Sequence, residues 1–170
     1  KKNQKKNTLK RMAATTNYLN DECIDAIIKA ATTYHVDPYY IIAKIIGEQG
    51  NTAGSLISGN GYEGQYPGVY NFFNIGAYGN DGKTSTVIKN GLEKSIMDGT
   101  KIISQNYIAK EQDTLYYQKF NVVGSNLYNH QYQQNILAAQ NEGSTLRKTY
   151  LKMDANLTGN YTFTIPLYKN

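Results

Sequence analysis

The 170-residue chain has no tryptophan, one cysteine, two histidines and three prolines. A single thiol excludes an internal disulfide framework. Cys23 lies in DECIDAII, on the core face of a helical pattern with no histidine near it in sequence, and reads as a buried inert thiol. His35 and His130 form no cluster with cysteine or acidic partners at ligand spacing, so no metal is expected, and His130 reads as a hydrogen-bonded structural residue. Zinc-finger spacing and a glycine-rich phosphate loop are missing, so the formal net charge of +5 is not assigned to a nucleic-acid partner. No apolar run approaches the length of a membrane span, and no signal peptide is visible. Without repeats or a long linker, the chain reads as one domain with one core, although two small lobes around a groove fit the same length. Much of the positive charge sits in KKNQKKNTLKR, and residues 1–19 are expected to be a basic extension or linker. An opening lysine in place of Met reads as excision from something longer.

Tyrosine is abundant at 16, glycine numbers 15, and the apolar residues fall at helical spacing. Asn20 or Asp21 caps a helix whose stripe is Cys23, Ile24, Ile27, Ile28 and Ala31. Asp37 followed by Pro38 starts a second helix, which runs to about Gly50. Residues 51–86 hold eight glycines among Tyr, Phe, Asn and Ser, the composition of a loop or short hairpin pinned by aromatic side chains. Helical text returns over 87–97 and 99–108. A short piece follows around Leu115, then a long helix from about Gln131 to Met153, bending near Gly143, with Ile136 and Leu137 packing inward. The alternation after Leu157 reads as a short strand or connector.

Glu48 stands out. In IIAKIIGEQG it shares a helical face with Ile41 and Ile45 and sits at the helix C-terminus. Desolvation and the negative end of the helix dipole both favour its protonated form. A protonated glutamic acid is what cleavage of a glycosidic bond requires, because the departing oxygen needs a proton. An ordinary surface glutamate at a helix end is the plainer reading of the same residue.

The blocks IIAKIIGEQG, YNFFNIGAYG, NGLEKSI, NYIAKEQDTLYYQKFN and NHQYQQNI resemble, in this order, the endo-β-N-acetylglucosaminidases of bacterial autolysins, glycoside hydrolase family 73. The resemblance runs from about Ile24 to Tyr150. It implies a mainly α, goose-type-lysozyme-like helical domain over 20–157 with a cleft, a glycine- and aromatic-rich loop or hairpin lobe, and a tail or connector over 158–170. It implies cleavage of peptidoglycan glycan strands between N-acetylglucosamine and N-acetylmuramic acid without a cofactor, by a secreted or wall-associated, monomeric domain of a larger multidomain wall protein. The relatives' tryptophans are missing here, and the interval from Asn90 to Tyr107 is shorter than in many of them.

The resemblance assigns the general acid to Glu48. For a second carboxylate the candidates are Glu63, which is preferred, and Asp81, which is most simply a turn residue. Attack by the sugar's own 2-acetamido oxygen is the other route. In the YNFFNIGA block, Phe72, Phe73 and Ile75 are expected in the core. Tyr70, Asn71 and Asn74 are the ligand candidates, with amides suited to acetamido and hydroxyl groups, and Gly76 is expected in a tight turn against the channel. Tyr116 is the near-catalytic tyrosine that the resemblance marks, and Tyr117 and Tyr132 join the substrate-binding set. The rivals are a muramidase or lytic transglycosylase, which share an acid in a helical cleft, and a binding module without chemistry.

Overall fold

A computed structural model describes residues 2–54, 56–60, 67–76, 91–125, 127–132 and 135–151. Among these there is no strand. The elements are α1 (Lys2–Ala13), α2 (Asp21–Tyr34), α3 (Pro38–Gln49), α4 (Leu92–Ile102), α5 (Leu115–Phe120) and α6 (Ala138–Leu151). A π-turn over Ile103–Tyr107 and a 3-10 turn over Ile108–Lys110 continue α4.

The centre of the molecule is the α2–α3 hairpin. Asn20 caps α2 by accepting a hydrogen bond from the Cys23 amide at 3.0 Å. His35 closes the helix in a left-handed conformation, φ 55°, and its amide donates to the Ala31 carbonyl. Asp37 accepts from the Tyr39 amide at 3.2 Å, and Pro38 occupies the first turn of α3, where its missing N–H is no loss. Ile24, Ile27, Ile41, Ile42 and Ile45 are fully buried. Each contributes about 1.5–3 kcal/mol of transfer free energy. Cys23 is buried with them, and burial pushes its thiol up to about 11.

The N-terminal segment differs from the expected extension. Its α1 places Leu9 and Met12, both 0% exposed, in the same core as α2 and α3. Lysine density hid an apolar pair at i, i+3. The lysines themselves pair with α2: Lys10 lies 2.7 Å from Asp21, and Lys6 bonds Asp25, an antiparallel register of two turns.

Helix α4 runs unbroken through Gly99, where the sequence suggested two segments. A Cβ at Gly99 would lie 2.1 Å from the Phe73 ring, so the glycine lets Phe73 press against the helix. Phe72 and Phe73 are in the core as expected, and Ile75 packs partly buried against it. The last helix starts at Ala138 rather than Gln131 and passes through Gly143. Asn135 sets the start by turning the chain: its carbonyl accepts from the Ala138 amide and its side chain from Leu137. Ile136 and Leu137 therefore fall outside the helix and are exposed, not packed. Residues 87–90 and the tail from 152 lie outside the described residues.

Candidate active site

Glu48 occupies the last turn of α3, with its side chain 19% exposed. The Tyr132 hydroxyl donates to Glu48 Oε1 at 3.3 Å, and Asn74 Nδ2 donates to Oε2 at 3.4 Å and to the Glu48 carbonyl at 2.9 Å. Asn74 thus fixes the carboxyl group and satisfies one of the open carbonyls at the helix end. Asn74 is in turn held by Gln49, whose Nε2 donates to its Oδ1 at 2.9 Å and to the carbonyls of Asn71 and Phe72. Gln49, the residue after Glu48, therefore staples the YNFFNIGA loop to α3. That loop has φ 51° at Asn74 and 70° at Gly76.

Beneath Glu48, one turn back, Lys44 is 1% exposed in its side chain. Its ammonium lies 2.5 Å from Glu142 Oε1 on α6, 3.9 Å from Glu48 Oε1, and 3.6 Å from the centroid of the Tyr132 ring. Lys44, Gly47, Glu48, Asn135, Asn141 and Glu142 are among the residues lining one cavity of about 290 Å³ between α3 and α6. Burial raises the Glu48 carboxyl above the ordinary carboxylate range. Lys44 and the two hydrogen bonds oppose this, and the Glu142 charge reinforces it. Burial also pulls the Lys44 ammonium down, against the attraction of Glu142 and Glu48. The Tyr132 phenol is driven well up by burial and by the neighbouring carboxylates, so it is a hydroxyl donor throughout the working pH range. The site presents a carboxyl group inclined to keep its proton, held from two sides, at the wall of a polar cavity.

The other residues singled out in the sequence fall as follows. Asn71 is 0% exposed, and its amide is closed on Ile75, donating to the Ile75 carbonyl at 2.9 Å and accepting from its amide at 3.2 Å. It shapes the loop. Tyr70 stacks on Phe72 at 5.8 Å, its hydroxyl filling the space where a Cβ at Gly59 would be. Tyr116 packs on Phe120 and Tyr117 in α5, and the tyrosine bonded to Glu48 is Tyr132. Tyr132 is reached by Tyr107, whose ring stacks on His130. His130 Nδ1 lies 3.3 Å from Gln112 Oε1. Glu63 and Asp81 lie outside the described residues. Sequence reasoning missed Lys44 and Glu142. The available signal was a lysine inside an isoleucine stripe, which demands a buried anion.

Fold and site together define a lysozyme-like helical domain with a carboxyl group at the wall of a polar cavity. No family model matches the chain. Over 156 residues it is 30% identical to a bifunctional autolysin of Staphylococcus epidermidis, a match that takes in 85% of this chain; a second S. epidermidis bifunctional autolysin matches to the same extent. The chain spans 11% of the length of these relatives. Its fold matches S. aureus autolysin E, crystallised as a catalytic mutant with the disaccharide NAG-NAM, at a TM-score of 0.71 and 22% identity, covering 88% of this chain and 68% of that one. The same protein in complex with a muropeptide, NAM-L-Ala-D-iGlu, matches at 0.67 with the same identity and coverage. The chain resembles a part of these bifunctional autolysins in sequence and autolysin E in fold.

Proposed function

We propose that this domain is a peptidoglycan hydrolase, an endo-β-N-acetylglucosaminidase that cleaves between N-acetylglucosamine and N-acetylmuramic acid, with Glu48 as general acid. The observation that carries the reading is the Glu48 carboxyl group, raised by burial and held by Tyr132 and Asn74 beside a cavity. In support, the fold is shared with an autolysin whose catalytic mutant binds NAG-NAM. In this reading Glu48 protonates the bridging oxygen as positive charge develops on the N-acetylglucosamine ring, and the C–O bond breaks toward the departing sugar. Tyr132 and Asn74 hold the carboxyl group and steady the carboxylate that remains. Water completes the hydrolysis, directed by Glu63 as second carboxylate or following attack by the 2-acetamido oxygen. Peptidoglycan strands are the partner, and a secreted, wall-directed multidomain parent is the setting.

Two measurements test this. Glu48→Gln should keep the fold and lose about 100- to 10,000-fold in turnover of purified wall, because the amide has no proton to give. Turnover near the wild-type level would remove Glu48 from the mechanism. Borohydride reduction of the products followed by mass spectrometry should convert terminal N-acetylglucosamine to its alditol. Reduced muramic acid would mean a muramidase instead, and an anhydromuramyl end a lytic transglycosylase.

A further inference from the structure

Three ionisable side chains meet under the cavity: Glu48 and Lys44 from α3, and Glu142 from α6. Both carboxylates lie within 3.9 Å of one ammonium nitrogen, but unequally, since Glu142 takes the hydrogen bond at 2.5 Å. Lys44 is closed in by the Tyr132 ring and by a side-chain exposure of 1%, so no water shell competes with its two anions. Glu142, at 15% exposure, keeps its carboxylate on the ammonium while Glu48 turns its oxygens to Tyr132 and Asn74.

We propose that Glu142 is a positioning residue for Glu48: it anchors the buried Lys44 ammonium on α6, so that this cation does not close onto Glu48 and the acid stays free to face the cavity. The inference rests on Glu48 being the general acid. Without Glu142, Lys44 has Glu48 as its one anion within 4 Å among the described residues. A desolvated lysine left in that position pairs with what remains. Glu48 would then be locked as a carboxylate, as opposite charges within about 4–6 Å lower a carboxyl pKa by about 1–3 units.

The other groups facing this cluster do not replace Glu142. From α3, Tyr40 donates to Gln118 of α5 at 3.1 Å, and burial raises its phenol, so it stays neutral. From the loops come the uncharged Asn74 and Tyr132, with Tyr107 behind Tyr132. The α5 cation, Lys119, reaches Gln131 at 3.4 Å. Lys44 itself acts on Glu48 in the lowering direction and Glu142 in the raising one, so the loss of Glu142 moves Glu48 downward through both.

The test is a carboxyl carbon-13 NMR titration of Glu48, assigned with Glu48→Gln, beside the pH–rate profile on purified wall. Wild type, Glu142→Gln and the double variant Lys44→Met with Glu142→Gln are compared. In Glu142→Gln, the Glu48 midpoint and the high-pH limb of the rate should both fall by about 1–3 pH units. Removing Lys44 as well should bring both back to the wild-type position or above, a rescue that damaged packing would not give. A midpoint that stays put in Glu142→Gln, or no recovery in the double variant, overturns the proposal. A midpoint that moves as expected while the rate profile does not supports the hold of Glu142 on Lys44 and overturns Glu48 as the acid. Should Glu142→Gln fail to fold, Glu142→Asp, with a shorter arm and the same charge, should give a smaller downward shift of both readouts, and no shift counts against the proposal.

Discussion

At the scale of single residues, the general-acid role proposed for Glu48 sets chemistry against stability. The folded state holds Glu48 above its ordinary value, so between the unfolded value of about 4.3 and the folded one the native state binds the extra proton. Stability is therefore lost as pH rises through that window, and the full cost is present above the folded value. Glu48→Gln is expected to melt higher than wild type at pH 7, with the difference vanishing below about pH 4. Equal melting at both pH values would mean that burial does not press on this carboxyl group. Tyr132→Phe tests the hold from the other side. The hydroxyl favours the ionised carboxylate, so its loss should move the high-pH limb of the rate upward and, by loosening Glu48, lower turnover about 3- to 10-fold. A limb that moves down would reverse the role given to this hydrogen bond. Glu48 was legible in the sequence because a carboxylate closes an isoleucine run. Glu142 was not, because its partner lies 98 residues away and nothing local marks it.

At the scale of elements, legibility followed local chemistry. Asn20, Asp37 and Pro38 announced α2 and α3, and those caps are the ones used. Gly99 read as a break because a helix-interior glycine costs about 1 kcal/mol against alanine. What it supplies is non-local: room for Phe73, whose ring would stand 2.1 Å from an added Cβ. The onset of α6 was misplaced for a similar reason, since the Asn135 turn exposes Ile136 and Leu137 against their hydrophobicity. Gly99→Ala should therefore destabilise by about 1–3 kcal/mol despite its better helix propensity. Combined with Phe73→Leu, itself destabilising, it should cost less than the sum of the two single changes, as read from denaturant melts. Strict additivity would show that the two residues do not share the contact.

At the scale of the whole molecule, the question is what the basic N-terminal segment belongs to. Four of its first six residues are lysine, which in isolation describes a solvated tail. Two apolar side chains decide otherwise, because Leu9 and Met12 are removed from water by α2 and α3, and the Asn17 amide bonds the Asn51 carbonyl at 3.1 Å just beyond the acid-bearing helix. Tyr18 adds a hydroxyl bond to the Gly50 carbonyl at 2.6 Å, so the segment braces the end of α3 on which Glu48 sits. Leu9→Ala should cost about 2–5 kcal/mol, or roughly 5–15 °C in melting temperature for a domain of this size. Lys6→Ala, which removes an exposed ion pair, should cost no more than about 1 kcal/mol. A chain begun at residue 20 should fall further than Leu9→Ala in stability and lose wall hydrolysis with it. If that shortened chain melts and turns over like the full one, α1 is an ornament on a core that is complete without it, and the brace on α3 carries no weight in the site.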